Sequence, residues 1–241
     1  MVFTRDEEMG LVGAHNLDFS KIRSTEAVIF DGEGPCNQIT SSSPSYIRFD
    51  IQIIGKAAHA GMEPEKGLSA IKIAAELISN IPQGRIDAET TSNIGIIDGG
   101  TARNAVPESV TIKGEFRSSN KKMLESLCLQ FKQAITGTEQ LYPEAKIETD
   151  METEFEYYLL DSDDQFLQKI KTTLLKIDLD PKIKPSGGGT DGNVFRKNGI
   201  DAVVVGMATY NMHTVREYVV IPDLINTAKF CSALLAENSI S

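Results

Sequence analysis

The chain has 241 residues, of which 41% are hydrophobic and 24% are charged. This composition is typical of a globular protein, and the length allows either one large domain or two smaller ones. Asp and Glu together number 34 against 24 Lys and Arg, which gives a formal net charge of −10. Because so acidic a surface repels phosphate groups, we expect neither nucleic acid nor an anionic membrane to be a partner.

Two further features concern location. The sequence has no apolar run near the roughly 20 residues that a membrane-spanning helix needs, and its opening segment MVFTRDEEMG is acidic where a secretory signal is basic and then apolar. The cysteines, which are Cys36, Cys128 and Cys231, are odd in number and widely spaced, a pattern of reduced thiols rather than of disulfides or a structural zinc site. We therefore expect a cytoplasmic protein.

The chain opens with α/β segments. Residues Val2–Thr4 are predicted to form a short strand that runs directly into a helical stretch ending at about His15. A second apolar strand is predicted at Glu26–Phe30, and it ends at the turn-rich stretch Asp31–Pro35.

Residues 45–158 show a different pattern. Alternating and helical periodicities follow one another in the order β-α-β-β-α-β, which predicts a ferredoxin-like α+β sandwich. The predicted strands are Tyr46–Ile54, Ser92–Ile97, Ser109–Phe116 and Lys146–Tyr157, and the predicted helices are Gly67–Ile81 and about Asn120–Thr136.

Residues 159–241 return to α/β segments. They contain a predicted helix at about Asp164–Leu179, a glycine-rich loop at Pro185–Gly192, a buried strand at Ala202–Val205 and a last helix at about Pro222–Leu235. We therefore predict an α/β domain made of residues 1–44 and 159–241, into which the ferredoxin-like domain of residues 45–158 is inserted.

Several acidic residues and one histidine of the α/β domain are candidates for chemistry. Glu7 and Glu8 are adjacent helical residues that point about 100° apart, so one can bind a metal while the other reaches a water, although acidic residues favour the first turn of any helix. Asp31 follows a strand at the edge where α/β ligand sites gather, but Asp before Gly is also common in turns. His213 lies in a polar loop just past a buried strand. It is either a ligand or catalytic residue or an ordinary loop residue.

The inserted domain offers three further candidates. His59 is flanked by small residues, which let a ligand or another chain approach closely. Asn104 lies in the glycine-led connection Gly99–Pro107, which is equally typical of a solvated hairpin loop. Arg117 closes a half-buried strand and needs an anion there, either a structural carboxylate or a substrate.

The glycine-rich loop carries the run Gly187, Gly188 and Gly189. Backbone N–H groups of such a run can face an anion. The spacing is not that of a phosphate-binding loop, so we do not expect nucleotide binding, and the sequence has no GxSxG motif of the α/β-hydrolases.

Each motif alone is a weak indication of function, but the order of the motifs along the chain is specific. TRDEEMGLVGA, DGEGP, GKAAHAG, GGTARNAVPES, GEFRS, SGGGTDGN and MHTVREYVVIPDL together resemble the co-catalytic dinuclear-zinc peptidases that include aminoacylase, carboxypeptidase G and peptidase T. The glycine loop and DGEGP are most similar to the peptidase T-like branch, and the resemblance extends from Thr4 to Leu235. It implies an α/β catalytic domain with two Zn²⁺ ions, and an inserted ferredoxin-like domain through which a homodimer forms. Mn²⁺ or Co²⁺ would also suit such mixed ligands.

The resemblance implies a role for each candidate of the α/β domain. Glu7 matches the general base, Glu8 and His213 match ligands of one zinc, and Asp31 matches a ligand of the other. The Gly187–Gly189 run matches part of the wall of the substrate pocket.

In the inserted domain, His59 matches the residue that crosses a dimer interface and either polarises the scissile carbonyl or stabilises its oxyanion. Asn104 and Arg117 match residues that hold the carboxylate or carbonyl of the substrate.

Three functional hypotheses follow. The first is an aminopeptidase that cleaves short peptides such as tripeptides, and the second is an N-acyl amino acid deacylase or carboxypeptidase of the same superfamily. The third is a catalytically inactive dimerisation module. Members of the family carry a His-x-Asp motif and a bridging Asp upstream of the paired glutamates, where this chain has no residues. We therefore expect this chain alone to bind zinc poorly and to hydrolyse peptides negligibly, because a catalytic zinc normally has three protein ligands.

Overall fold

The computed structural model describes residues 1–238. The chain divides into two compact units, of which the first comprises residues 1–44 and 155–241 and the second comprises residues 45–154. None of the helices within residues 1–238 combines the length and the apolar character that crossing a bilayer requires.

The helices and strands fall into three stretches of the chain. Before residue 45 they are α1 (Val12–His15), β1 (Glu26–Gly32), β2 (Gln38–Thr40) and β3 (Ser42–Ser43), with 3₁₀ turns at Glu7–Met9 and Phe19–Lys21. The second unit contains β4 (Ser45–Ile54), β5 (Ala58–His59), a 3₁₀ turn (Pro64–Lys66), α2 (Ala70–Ser79), β6 (Gly84–Arg85), β7 (Thr90–Gly99), β8 (Ala105–Val106), β9 (Ser109–Ser118), α3 (Lys121–Leu141) and β10 (Lys146–Phe155). The rest of the chain forms β11 (Tyr158–Leu159), α4 (Gln165–Lys176), β12 (Lys182–Lys184), α5 (Asp191–Lys197), β13 (Asp201–Gly206), β14 (Thr209–Tyr210), β15 (Tyr218–Val219) and α6 (Ile221–Asn238).

The first unit is built on a four-stranded sheet with the order β1-β13-β2-β12. Strands β1 and β13 pair in parallel from Glu26↔Asp201 to Phe30↔Val205, and β12 pairs in parallel with β2. Helices α4 and α6 cover one face, where Ile170, Val205 and Phe230 are fully buried. Strand β13 is buried from Ala202 to Gly206, as expected of a strand that is covered on both faces.

The start of the chain differs from its prediction. Val2–Thr4 forms no strand, and the helical stretch is divided into the 3₁₀ turn at Glu7–Met9 and the four-residue helix α1. The reason is local, because Gly10 (φ 91°) and Leu11 (φ 57°) adopt left-handed backbone conformations that a right-handed helix cannot continue through.

The second unit has the ferredoxin-like arrangement that the sequence predicts. Its elements run β4-α2-β7-β9-α3-β10, and the sheet order is β10-β4-β9-β7-β6, with the short β6 added at one edge. Strands β4 and β9 pair antiparallel over their full length, from Ser45↔Ser118 to Ile54↔Ser109. Every second residue of β4 from Ile47 to Ile53 is buried, so the alternation that predicted the strand also forms the core. The mixed α/β fold class is thereby confirmed.

The last strand of the second unit is shorter than predicted. It ends at Phe155 instead of Tyr157, and Tyr158 and Leu159 form an antiparallel pair with Ser43 and Ser42. Those two residues therefore belong to the first unit.

Three phenylalanines lie at the centre of the second unit. The Phe116 ring lies 4.8 Å from that of Phe49 and 5.9 Å from that of Phe131, centroid to centroid, and its side chain is fully buried. We expect Phe116→Ala to lower the free energy of unfolding by about 3–5 kcal/mol, since a large cavity would remain. Urea unfolding followed by circular dichroism measures the change. Leu129→Ala, which truncates an exposed side chain of α3, is the matched control and should cost about 0.5 kcal/mol or less. Equal losses in both variants would contradict this description of the core.

Candidate active site

The parallel pairing of β1 and β13 places the candidate site at one edge of the first sheet. Parallel neighbours end at the same edge, and ligand sites of α/β sheets lie beyond those carboxyl ends. Asp31 lies at the end of β1, and β13 ends at Gly206, from which the chain continues into the β14–β15 hairpin that carries His213. A Cβ at position 206 would lie 2.4 Å from the carbonyl oxygen of Gly34, so only glycine allows the two chain segments to approach so closely.

Hydrogen bonds join the turn after Asp31 to the segment that leads to His213. The N–H of Met207 donates to the carbonyl of Gly32 (2.9 Å), and the N–H of Ala208 donates to the carbonyl of Gly34 (2.7 Å). Further along, the N–H of Asn211 donates to Glu33 Oε1 (3.0 Å). These hydrogen bonds hold the two loops together.

His213 itself has a left-handed backbone (φ 63°), and its N–H donates to Glu217 Oε2 (3.2 Å). Its ring nitrogen Nδ1 lies 3.5 Å from Glu8 Oε1, although more than 200 residues separate the two in sequence. Glu8 follows Glu7 in the 3₁₀ turn, which is closed by the N–H of Leu11 donating to the carbonyl of Glu7 (2.8 Å).

The pKa values of Glu7 and Asp31 show that these two residues lie close to Glu8 and His213. The pKa of Glu7 is raised to about 7, most of all by partial burial and then by the nearby carboxylates of Asp31, Glu8 and Asp191. Burial likewise raises the pKa of Asp31 to about 6, with Asp191 and Glu8 next in effect, while a hydrogen bond with Glu7 and the charge of His213 act in the opposite direction. The structure thus brings together Glu7, Glu8, Asp31 and His213.

Asp191 belongs to the same cluster and was missed by the sequence analysis. It is the first residue of α5, only 6% exposed, and its Oδ2 accepts a hydrogen bond from the hydroxyl of Thr4. A signal was present, because Thr190 and Asn193 form a capping box and Thr-x-x-Asn spacing after a glycine run marks a helix start. The prediction stopped at the glycine run and so overlooked the short helix.

The donors of this cluster suit a metal ion chemically. Carboxylates and a neutral imidazole are ligands of Zn²⁺, Mn²⁺ and Co²⁺. Within residues 1–238, however, no three His, Cys, Asp or Glu side chains are arranged so that they could hold an ion. The chemistry of the residues therefore fits a metal, but their arrangement does not amount to a three-ligand centre.

Two of the remaining candidates lie close together in the second unit. His59 and Asn104 are on neighbouring segments of the second unit, since the N–H of Ala60 donates to the carbonyl of Asn104 (2.9 Å), and the exposed His59 ring accepts the N–H of Gly61 at Nδ1 (3.2 Å). Their roles toward a substrate stay predictions.

Arg117 has a structural carboxylate beside it. Its guanidinium donates to both oxygens of Glu115, at 2.9 and 3.2 Å, and lies 4.6 Å from the centroid of the Tyr46 ring. The need for an anion that the sequence indicated is met by Glu115, and binding of a substrate by Arg117 stays a prediction.

The glycine run lies in the first unit. The carbonyl of Gly188 accepts the hydroxyl of Ser43 (2.9 Å), and its N–H donates to Ser186 Oγ (3.1 Å). A Cβ at Gly189 would lie 2.3 Å from the ring of Phe155, so that residue must be glycine for the loop to pass the ring. In contrast, Gly187 has open space where a Cβ would be.

The comparison with known proteins agrees with the motifs. Residues 42–140 match the M20 peptidase dimerisation domain. The chain is 36% identical to protein YqjE of Bacillus subtilis over 236 residues, which are 98% of this chain and 63% of YqjE.

Solved structures show the same relationship. The chain superimposes on aminopeptidase PepT from Bacillus cereus with a TM-score of 0.82 and 35% identity, covering 96% of this chain and 62% of that one. For a tripeptidase from Staphylococcus aureus the TM-score is 0.85 and the identity 28%, covering 96% and 61% of the two chains. The chain thus spans somewhat under two thirds of the length of these relatives, and the predicted resemblance is confirmed.

The acidic cluster predicts how the stability of the metal-free protein depends on pH. A carboxyl group whose pKa is higher in the folded than in the unfolded state favours folding when it is protonated, so stability falls as the pH rises from about 4.5 to about 7 for Glu7. We expect Glu7→Gln to raise stability at pH 8 by about 1 kcal/mol, less than the ~3 kcal/mol of the full shift because solvent screens a half-exposed group. The gain at pH 5 should be smaller.

Thermal unfolding in the presence of a chelator at the two pH values measures this effect. Glu144→Gln, which removes an exposed carboxylate of the second unit, serves as the control and should change neither value. A stabilisation by Glu7→Gln that is equal at pH 5 and pH 8 would contradict the raised pKa of Glu7.

Proposed function

Because the chain is a peptidase T-like member of the M20 peptidases, we propose that the protein hydrolyses short peptides, tripeptides among them, as a metal-dependent aminopeptidase. The observation that carries this proposal is the convergence of Glu7, Glu8, Asp31 and His213 at the carboxyl edge of the first sheet. The tripeptidase and PepT relatives, similar over nearly the whole chain, support the class of substrate.

Each residue of the cluster has a part in this proposal. Glu8 and His213, which are already in contact, would hold one ion, and Asp31 would contribute to a second. Zn²⁺ is the proposed ion, with Mn²⁺ and Co²⁺ as alternatives, and when bound it would lower the pKa of a water molecule. Glu7, whose pKa is raised to about 7, can accept a proton at its carboxylate near neutral pH and return it to a leaving amine.

We further propose that this chain by itself turns peptides over very slowly. A catalytic zinc normally has three protein ligands, and within residues 1–238 no three His, Cys, Asp or Glu side chains are arranged so that they could hold an ion. The same observation favours the alternative that the chain acts as an inactive dimerisation module, as does the match of residues 42–140 to a dimerisation domain. We place the protein in the cytoplasm, for which its acidic composition and its three free cysteines are the support.

A substrate panel tests the activity. The purified chain with added Zn²⁺ is incubated with free tripeptides and with N-acyl amino acids, and products are measured by mass spectrometry. We expect slow cleavage of tripeptides that requires the metal and falls about 10²-fold or more in Glu7→Gln, because a proton-transfer group is lost.

Other outcomes are equally informative. Fast cleavage by the wild-type chain would overturn the proposal that its site lacks ligands, and cleavage of N-acyl amino acids alone would assign it to the deacylases. Absence of hydrolysis together with absence of Zn²⁺ binding in calorimetry would favour the inactive module.

A homodimer through the second unit is the other part of this proposal. Strand β7 pairs with the short β6 only at Gly84↔Ser92 and Arg85↔Thr91, so the stretch Asn93–Gly99 lies at an edge of the sheet. A bulge between Ile94 and Ile96 interrupts the alternation there, and Ile96 (54%) and Ile97 (55%) are both exposed. An edge strand with exposed apolar side chains is a template for pairing, and a second copy of the same strand is a self-complementary partner across a two-fold axis.

We therefore expect Ile97→Lys to shift the chain from dimer to monomer, because it would place two charges in one apolar contact. Light scattering coupled to size-exclusion chromatography measures the mass. Leu175→Lys, which changes a similarly exposed residue of α4 in the first unit, is the control and should leave the dimer intact. A wild-type chain that is monomeric at high micromolar concentration would refute this interface.

A further inference from the structure

Asp191 is a buried carboxylate that none of the proposed chemical steps uses. Its Oδ2 accepts the hydroxyl of Thr4, while its Oδ1 is buried and has no hydrogen-bond partner among the described residues. Burying a charged oxygen without a partner costs stability, and the neighbouring carboxylates of Glu7 and Asp31 add repulsion. A side chain that is unfavourable for folding and yet touches the edge of the site calls for a functional explanation.

The position of Asp191 is fixed by the sheet. Thr190 and Asn193 cap the start of α5, with the N–H of Gly192 donating to Thr190 Oγ1 (3.1 Å) and the N–H of Thr190 donating to Asn193 Oδ1 (3.0 Å). A Cβ at Gly192 would lie 2.7 Å from Val204 Cγ2 and 3.7 Å from Ile29 Cγ1. The first turn of α5 is therefore pressed against β13 and β1, and Ile29 is only two residues before Asp31.

The turn that carries Glu7 and Glu8 is, in contrast, poorly stabilised by its own backbone. Asp6 (φ 56°) and Leu11 (φ 57°), which flank it, both have left-handed backbones, a conformation that is unfavourable for residues other than glycine. The 3₁₀ helix between them is only three residues long. A segment of this kind needs an anchor outside itself to keep one conformation.

Thr4 connects the Glu7–Glu8 turn to Asp191 at the start of α5. It lies three residues before Glu7, and its hydroxyl is bound by the carboxylate at the fixed start of α5. We propose that Asp191 is a positioning residue, which through Thr4 holds the Glu7–Glu8 turn beside Asp31 and His213. This inference rests on the proposed function for its purpose, but the positioning itself can be measured without any substrate.

Hydrogen exchange of the turn tests the proposal. The amides of Leu11, Val12 and Gly13 are hydrogen-bonded to the carbonyls of Glu7, Asp6 and Arg5, so their exchange reports whether the turn is held. We expect Thr4→Val, which removes the hydroxyl at nearly constant volume, and Asp191→Ala to speed this exchange about tenfold. Amides of the β1–β13 ladder in the first unit, which also carries the turn, should be unaffected and so exclude unfolding of that whole unit.

The conservative variants separate a hydrogen bond from mere packing. Thr4→Ser keeps the hydroxyl, and Asp191→Asn keeps an oxygen that can accept it while removing the buried charge, so both should exchange at the wild-type rate. We also expect Asp191→Asn to raise the melting temperature, since the unpaired charge is gone. If Asp191→Ala does not fold, Thr4→Val still decides the question.

Two results would overturn the proposal. One is exchange in Thr4→Val that equals the wild-type rate, and the other is loosening of the turn by Asp191→Asn as large as that by Asp191→Ala. Loosening of the turn in a protein whose wild-type form shows no peptide cleavage and no metal binding would leave the positioning role intact and count against the proposed function alone.

Discussion

The parallel pairing of β1 with β13 is the constraint on which the candidate site depends. It brings the end of an early strand next to the end of a late one, so that Asp31 and the loop of His213 leave the sheet at the same edge. The hydrogen bonds from Met207 and Ala208 to Gly32 and Gly34 then carry this proximity beyond the strands. A change of register between these strands would separate Asp31 from the hairpin of His213 without altering either loop.

The same edge concentrates negative charge. Glu7, Glu8, Asp31 and Asp191 repel one another, and the pKa values of Glu7 and Asp31 are raised first by partial burial and then by that repulsion. Such a cluster is unfavourable for the fold unless protons or cations offset it. Function and stability are therefore opposed at this edge, which is common where ionisable groups are gathered for chemistry.

The parts of the fold that the sequence predicted well are those with long, regular periodicity. Strand β4 and helix α3 each show many repeats of their pattern, and the predicted ranges agree with the observed ones to within a few residues, apart from the last turn of α3. Short elements were missed, because α5 has only seven residues behind a glycine run and β2 has only three. The supposed strand Val2–Thr4 illustrates the opposite error, since an apolar triplet alone does not specify pairing.

The site was predicted by a different route from the fold. No periodicity connects Glu8 with His213, and their contact followed only from the order of the motifs along the whole chain. Asp191 lay inside one of those motifs but went unrecognised, because its importance comes from burial and from its bond to Thr4, neither of which a linear pattern reveals. For Arg117 the sequence indicated the need for an anion but could not choose between a carboxylate of the protein and one of a ligand.

The antiparallel pair formed by Ser42–Ser43 and Tyr158–Leu159 has an architectural consequence. The chain leaves the first unit and returns to it at adjacent points. The hundred or so residues in between therefore begin and end at the same place in that unit. Closely spaced ends are what allow one domain to be spliced into another without disturbing the host. Exchange or removal of the ferredoxin-like unit would therefore leave the two ends of the host chain next to each other.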